Sequence, residues 1–132
     1  MGIELLTNSD NVLRGGLTSK YVDHKELLKI LNYFEYKPEI MRAPETPHSW
    51  FSYPAGEFAL SVMYGSGAAI PYTENGPSIL IITEGNAVVD EGGAEGGIKV
   101  PLKKGESVFI PAGKNPVFSG AFTAYAASCR SS

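Results

Sequence analysis

From Trp50 onward the chain is a succession of short apolar segments cut by glycine and proline, and this punctuation limits the fold more than any other feature. Trp50–Tyr53 and Phe58–Tyr64 have strand character, the second with alternation at Phe58, Leu60 and Val62. Ser78–Thr83 is an unbroken apolar run, which predicts a strand buried on both faces. Glu84-Gly85-Asn86 predicts a turn, and Ala87–Asp90 a strand after it. Glu91–Gly97 is too rich in glycine to hold a shape of its own and predicts a hairpin loop. Ile98–Leu102, Ser107–Ile110, Pro116–Ser119 and Phe122–Ala127 bring the total to about eight short strands. Turn signals this regular in an all-β run predict a mainly β fold, a barrel or jelly roll.

The part before it differs. Asp23-His24-Lys25-Glu26 has the form of a reciprocal capping box, in which Asp23 accepts from the amide three residues on and Glu26 reaches back. Leu27, Leu28, Ile30, Leu31 and Phe34 recur at helical spacing, and Pro38 ends the pattern, so a short amphipathic helix is predicted over 24–34. No repeat and no long linker divides the 132 residues, which are enough to bury one core.

Composition excludes several function classes. The net charge is -3, and no Lys/Arg run exists to track a phosphate backbone, which argues against nucleic acid. The apolar runs are far shorter than a membrane span, and Met1–Leu6 is too short for a signal-peptide core. A single cysteine, Cys129, allows no internal disulfide and fits a reducing compartment, so a cytoplasmic protein is expected.

Most chemistry-bearing side chains have an ordinary explanation. His24 lies in the first helical turn and His48 in a Pro-rich loop; both are expected at the surface, and two imidazoles alone fall short of the three or four ligands zinc takes. Cys129 is expected to be an inert thiol beyond the last strand, and Glu84 and Asp90 solvated carboxylates without a nameable partner. Trp50, Phe51, Tyr53, Phe58 and Tyr64 suit core packing better than sugar stacking. The segment Asn8–Lys20 is harder to dismiss, since it sets Arg14 and Lys20 six residues apart around Gly15-Gly16.

Gly105–Gly113 resembles the second motif of the cupin jelly rolls, G-x5-P-x-G: Gly105 turns the chain into a strand, and Pro111 and Gly113 turn it out. In metal-binding cupins a histidine follows three residues later, where this chain has Pro116, and the close histidine pair of the first motif has no counterpart. The resemblance is therefore to a cupin without a metal site.

Asn8-Ser9-Asp10-Asn11-Val12-Leu13-Arg14-Gly15-Gly16-Leu17-Thr18-Ser19-Lys20 resembles the signature of the type I phosphomannose isomerases, S-D-N-V-[LV]-R-[AG]-G-L-T-P-K. Ser19 departs from the family's proline, which removes a fixed φ between the two cations. With the helix from Asp23 and the cupin-like part, the resemblance extends over essentially the whole chain. It implies that Arg14 points into the active site and is catalytic, that Lys20 lies near the substrate phosphate, and that Glu4, ten residues before Arg14, is an acid/base. The family's zinc ligands, a Gln, two His and a Glu, lie upstream of this motif and have no counterpart here, so no metal ligand is assigned.

The resemblance thus implies the C-terminal portion of a mannose-6-phosphate isomerase, acting on mannose 6-phosphate and fructose 6-phosphate. Residues 1–22 are expected to be an active-site strand-loop, 23–35 a helix and 36–132 a cupin-like jelly roll, all one C-terminal unit without the metal-bearing catalytic domain. Alone, such a chain is expected to be inactive and to bind no zinc. A non-catalytic cupin-like binding or scaffolding domain is the alternative.

Overall fold

The computed structural model describes residues 2–6, 12–40, 42–43, 50–54, 58–74, 76–92 and 97–129. Two compact units result: Met1–Leu5 with Met41–Ser132, and Leu6–Ile40.

In the second unit the helix, α1, spans His24–Ile30, four residues shorter than the spacing predicts. Asp23 caps it as expected, its Oδ1 accepting from the Glu26 amide at 3.0 Å. Glu26 does not complete the box; its Oε2 accepts from Lys29 Nζ at 2.8 Å instead. The early stop has a local cause. Leu31 is extended (φ -60, ψ 129), and Asn32 Oδ1 accepts from the Phe34 amide at 3.0 Å, a side-chain turn that competes with the next helical turn. No α1 residue is buried.

The other unit is mainly β. Its strands are β1 (Trp50–Pro54), β2 (Phe58–Ser66), β3 (Ile70–Pro71), β4 (Ser78–Asp90), β5 (Lys99–Lys103), β6 (Ser107–Ile110) and β7 (Val117–Cys129). All pairings are antiparallel. β4 and β7, 13 residues each, pair from Ser78↔Ser128 to Asp90↔Val117 and form a spine. β6 pairs with the first part of β4 and β5 with its last part. On the far edge of β7, β2 covers Ala121–Cys129 and β3 covers Val117 and Phe118. Leu80, Ile82 and Ala126 from one end of the spine share a single core with Ala87, Val89 and Phe118 from the other. The two ends of the sheet therefore fold over a common interior, as in a jelly roll.

Where separate strands are predicted, the spine runs through. Glu84-Gly85-Asn86 is not a turn but part of β4, and Pro116–Ser119 and Phe122–Ala127 belong to one strand, β7. The partners of β4 on β7 jump from Ile82↔Ala124 to Glu84↔Thr123, leaving Thr83 unmatched, a β-bulge. Gly85 sits there at φ +70. The extra residue inverts the alternation: Leu80 and Ile82 face the core before it, Ala87 and Val89 after it, while β7 keeps Phe118, Phe122, Ala124 and Ala126 inward throughout.

The apolar run at the start of β4 is buried on one face rather than two. Ile79 is 57% exposed, because one side of this antiparallel sheet faces solvent. In β2 the pattern also shifts: Ala59, Ser61 and Met63 are buried together with Val62, whereas Phe58 and Leu60 are half-buried. The edge strand β5 alternates Lys99, Pro101 and Lys103, and lysine with an N–H-free proline discourages pairing with another chain.

Phe118 and Tyr72 are fully buried and meet edge to face, ring centroids 6.0 Å apart; Phe122 lies 6.3 Å beyond. Burying such a ring contributes about 1.5–3 kcal/mol. Burial also holds the Tyr72 phenol above its ordinary 10.0, opposed by a hydrogen bond with Ser78 and reinforced by repulsion from Glu74. As pH rises, the unfolded chain therefore ionises this group first. Its share of the stability is whole below pH 10.0 and is lost as pH climbs from there through the raised folded value. Tyr72→Phe should flatten the fall of stability across about pH 9–11 in urea titrations; an unchanged slope would remove Tyr72 as a source of alkaline sensitivity.

Candidate functional site

Arg14 and Lys20 lie in the same unit, on one loop that leads into α1. Residues 12–20 contain bends and no strand, so the expected strand-loop is, over these residues, a loop. Gly16 reverses the chain at φ +91, a conformation that suits glycine. Gly15 packs over α1, such that a Cβ there would stand 3.4 Å from Leu27 Cδ2. Thr18 Oγ1 accepts from the Lys20 amide at 3.2 Å and tightens the turn around Ser19. Arg14 is half-buried and Lys20 exposed. Asn8–Asn11 of the motif lie outside the described residues.

Glu4 is exposed and belongs to the β unit. His24 is exposed on α1, and His48 lies outside the described residues, as do the side chains of Trp50, Phe51 and Tyr53. Phe58 and Tyr64 are half-buried. Cys129 is the final residue of β7 itself and is exposed.

Asp90, expected to be a solvated carboxylate, has two partners. It accepts from the Gly92 amide at 3.0 Å and pairs with Lys99 Nζ at 3.3 Å; these contacts, in that order, hold its carboxyl below the usual 3.8. The pair is invisible from sequence spacing because it depends on the β4–β5 register, which sets Asp90 opposite Lys99. It is a hairpin clamp rather than a site.

Zinc has no home among these groups. Among the described residues no three His, Cys, Asp or Glu side chains cluster so as to hold a metal ion. Among them, too, no helix is long and apolar enough to cross a membrane.

No protein-family model matches the chain. It is 36% identical over 121 residues to the mannose-6-phosphate isomerase of Escherichia coli, covering 89% of this chain and 30% of that protein. It is 35% identical over 116 residues to a probable mannose-6-phosphate isomerase of Caenorhabditis elegans, covering 83% and 27%. A crystal structure of the Salmonella typhimurium mannose 6-phosphate isomerase, bound to fructose 6-phosphate and zinc, superposes with TM-score 0.77 at 33% identity. That match covers 96% of this chain and 32% of the neighbour. The chain is similar to the C-terminal portion of mannose-6-phosphate isomerases. It spans about a third of the length of the relatives it matches. The cupin-like jelly roll expected from Gly105–Gly113 agrees with this likeness, since the family's C-terminal fold is the one matched. A second solved mannose 6-phosphate isomerase structure similar to this chain holds zinc and yttrium.

Proposed function

We propose that this chain supplies the sugar-phosphate-binding wall of a mannose-6-phosphate isomerase whose zinc-bearing part is another stretch of polypeptide. The observation that carries the reading is the Arg14–Lys20 loop, set ahead of a fold that matches the family's C-terminal third. Support also comes from α1, which exposes Leu28 and Ile30, apolar surface that the rest of such an enzyme would cover. The metabolic relatives and the single thiol favour the cytoplasm.

Each residue has a task that suits its chemistry. Moving a proton between C1 and C2 of the open-chain sugar passes through an enediol, and a carboxylate such as Glu4 can take the proton from one carbon and return it to the other. The Arg14 guanidinium keeps its charge at any working pH and presents a fork of donors to the developing oxyanion or to phosphate. Lys20 adds a compact positive charge for the phosphate group. Zinc does not fit this chain's described residues, which place no three His, Cys, Asp or Glu side chains together.

The test is reconstitution. The purified chain with added zinc should not interconvert mannose 6-phosphate and fructose 6-phosphate above background. Co-expression with the N-terminal two thirds of the Escherichia coli relative should yield a complex and measurable turnover. Turnover by the chain alone would overturn the division of labour; a stable complex without turnover would favour a non-catalytic binding or scaffolding module.

A further inference from the structure

The β unit holds a second feature that the isomerase reading does not use. Exposure climbs from 5% at Leu102 to 37% at Val100 on one face of β5 and reaches 68% at Ile98, just before the strand. The interior therefore opens toward the start of that strand. A cavity of about 320 Å³ lies at this opening, walled by Val89, Val100, Val108, Ile110 and Pro116.

Among the described lining residues only Glu91 and Lys114 have polar side chains, and they satisfy each other: Lys114 Nζ stands 2.7 Å from Glu91 Oε1. Glu91 directly follows β4 and Lys114 follows β6, so the pair ties two loops together at the lip. The Lys114 amide, donating to the Pro111 carbonyl at 3.2 Å, fixes the turn that presents it.

We infer that this cavity binds a small, neutral, predominantly apolar molecule, about the size of a substituted benzene, with the Lys114–Glu91 pair as a latch at its mouth. Size permits it, since an apolar cavity of about 150 Å³ already holds benzene and ligand pockets begin near about 300 Å³. The wall chemistry selects it. A sugar would bring hydroxyl groups that valine, isoleucine and proline side chains cannot satisfy, and an unpaired buried hydroxyl is unfavourable. A charged head would compete with an ion pair already made. The described lining offers one carboxylate and no imidazole or thiol, too few donors for a metal ion.

Titration of the labelled chain with toluene, followed by amide NMR, tests the inference. Saturable shifts should centre on Val89, Val100 and Val108, while benzoate at equal concentration leaves them unmoved. Val100→Trp, at a position already part-exposed, should fill the space and weaken toluene at least about ten-fold with the thermal midpoint retained. Val108→Phe serves as an independent filler. Lys114→Gln should weaken toluene by about two- to five-fold through loss of the latch. Shifts that do not saturate, equal binding of benzoate, or undiminished binding in both filled variants would overturn it.

Discussion

Gly85→Val should abolish the cooperative unfolding transition of the β unit. Gly85 sits at φ +70, where a β-branched residue is strained by more than the roughly 1–2 kcal/mol an ordinary L-residue costs. Space is the larger obstacle. A Cβ on Gly85 would overlap the Ala121 carbonyl oxygen and stand 3.0 Å from Phe122 Cα, both backbone of the paired strand. Relief requires β4 and β7 to part at the bulge or to slip by one residue. A slip turns either Leu80 and Ile82 or Ala87 and Val89 out of the core, since the bulge alone lets both pairs face inward. The expected loss exceeds about 4 kcal/mol, beyond what most single substitutions cost. Gly92→Ala is the control: φ is also positive, +72, but nothing lies within 4 Å of a Cβ there, so a cost near about 1 kcal/mol is expected. Urea denaturation followed by near-UV circular dichroism compares the two. Equal, small losses would mean that the bulge is not the hinge of this fold.

Arg14→Ala, in the reconstituted isomerase, should lower kcat by about 10²–10³, the usual effect of removing one donor from a developing oxyanion. Arg14→Lys should recover little, because an ammonium keeps the charge and loses the planar fork. Lys20→Ala should act chiefly on KM for the phosphorylated sugar. The contrast separates the two cations on one loop. A kcat within a few-fold of wild type for Arg14→Ala would place Arg14 outside the reacting centre, while complex formation in the same preparation shows whether assembly itself survived. This expectation rests on the reconstitution proposed above.

The residues show how far periodicity reaches and where it stops. Gly105–Gly113 announced its strand and flanking turns from composition alone, because Gly105 and Gly113 occupy positive φ and Pro111 cannot continue a ladder. Asp23 announced the start of α1 for a similarly local reason, one side-chain oxygen accepting from one amide. The end of α1 was harder. The apolar repeat runs on through Phe34, but the turn at Asn32 prevails where Leu31 and Phe34 are exposed and gain no burial from another helical turn. Glu84-Gly85-Asn86 carried the same residues a turn would use, and a bulge uses them too. Which of the two forms depends on whether a partner strand continues alongside, and β7 does.

For the candidate site the division follows the same line. The Arg14–Lys20 spacing, the Gly15-Gly16 reversal and the resemblance they carry are local, written in consecutive residues, and the sequence by itself determined them together with the mainly β class. Other features needed the tertiary structure: the pairing of Asp90 with Lys99, the inverted alternation along β4, and the apolar cavity latched by Glu91 and Lys114. Each joins residues distant in sequence through strand register. Register is a collective choice made by the whole core, in which one residue of slip sends every side chain of a strand to the opposite face.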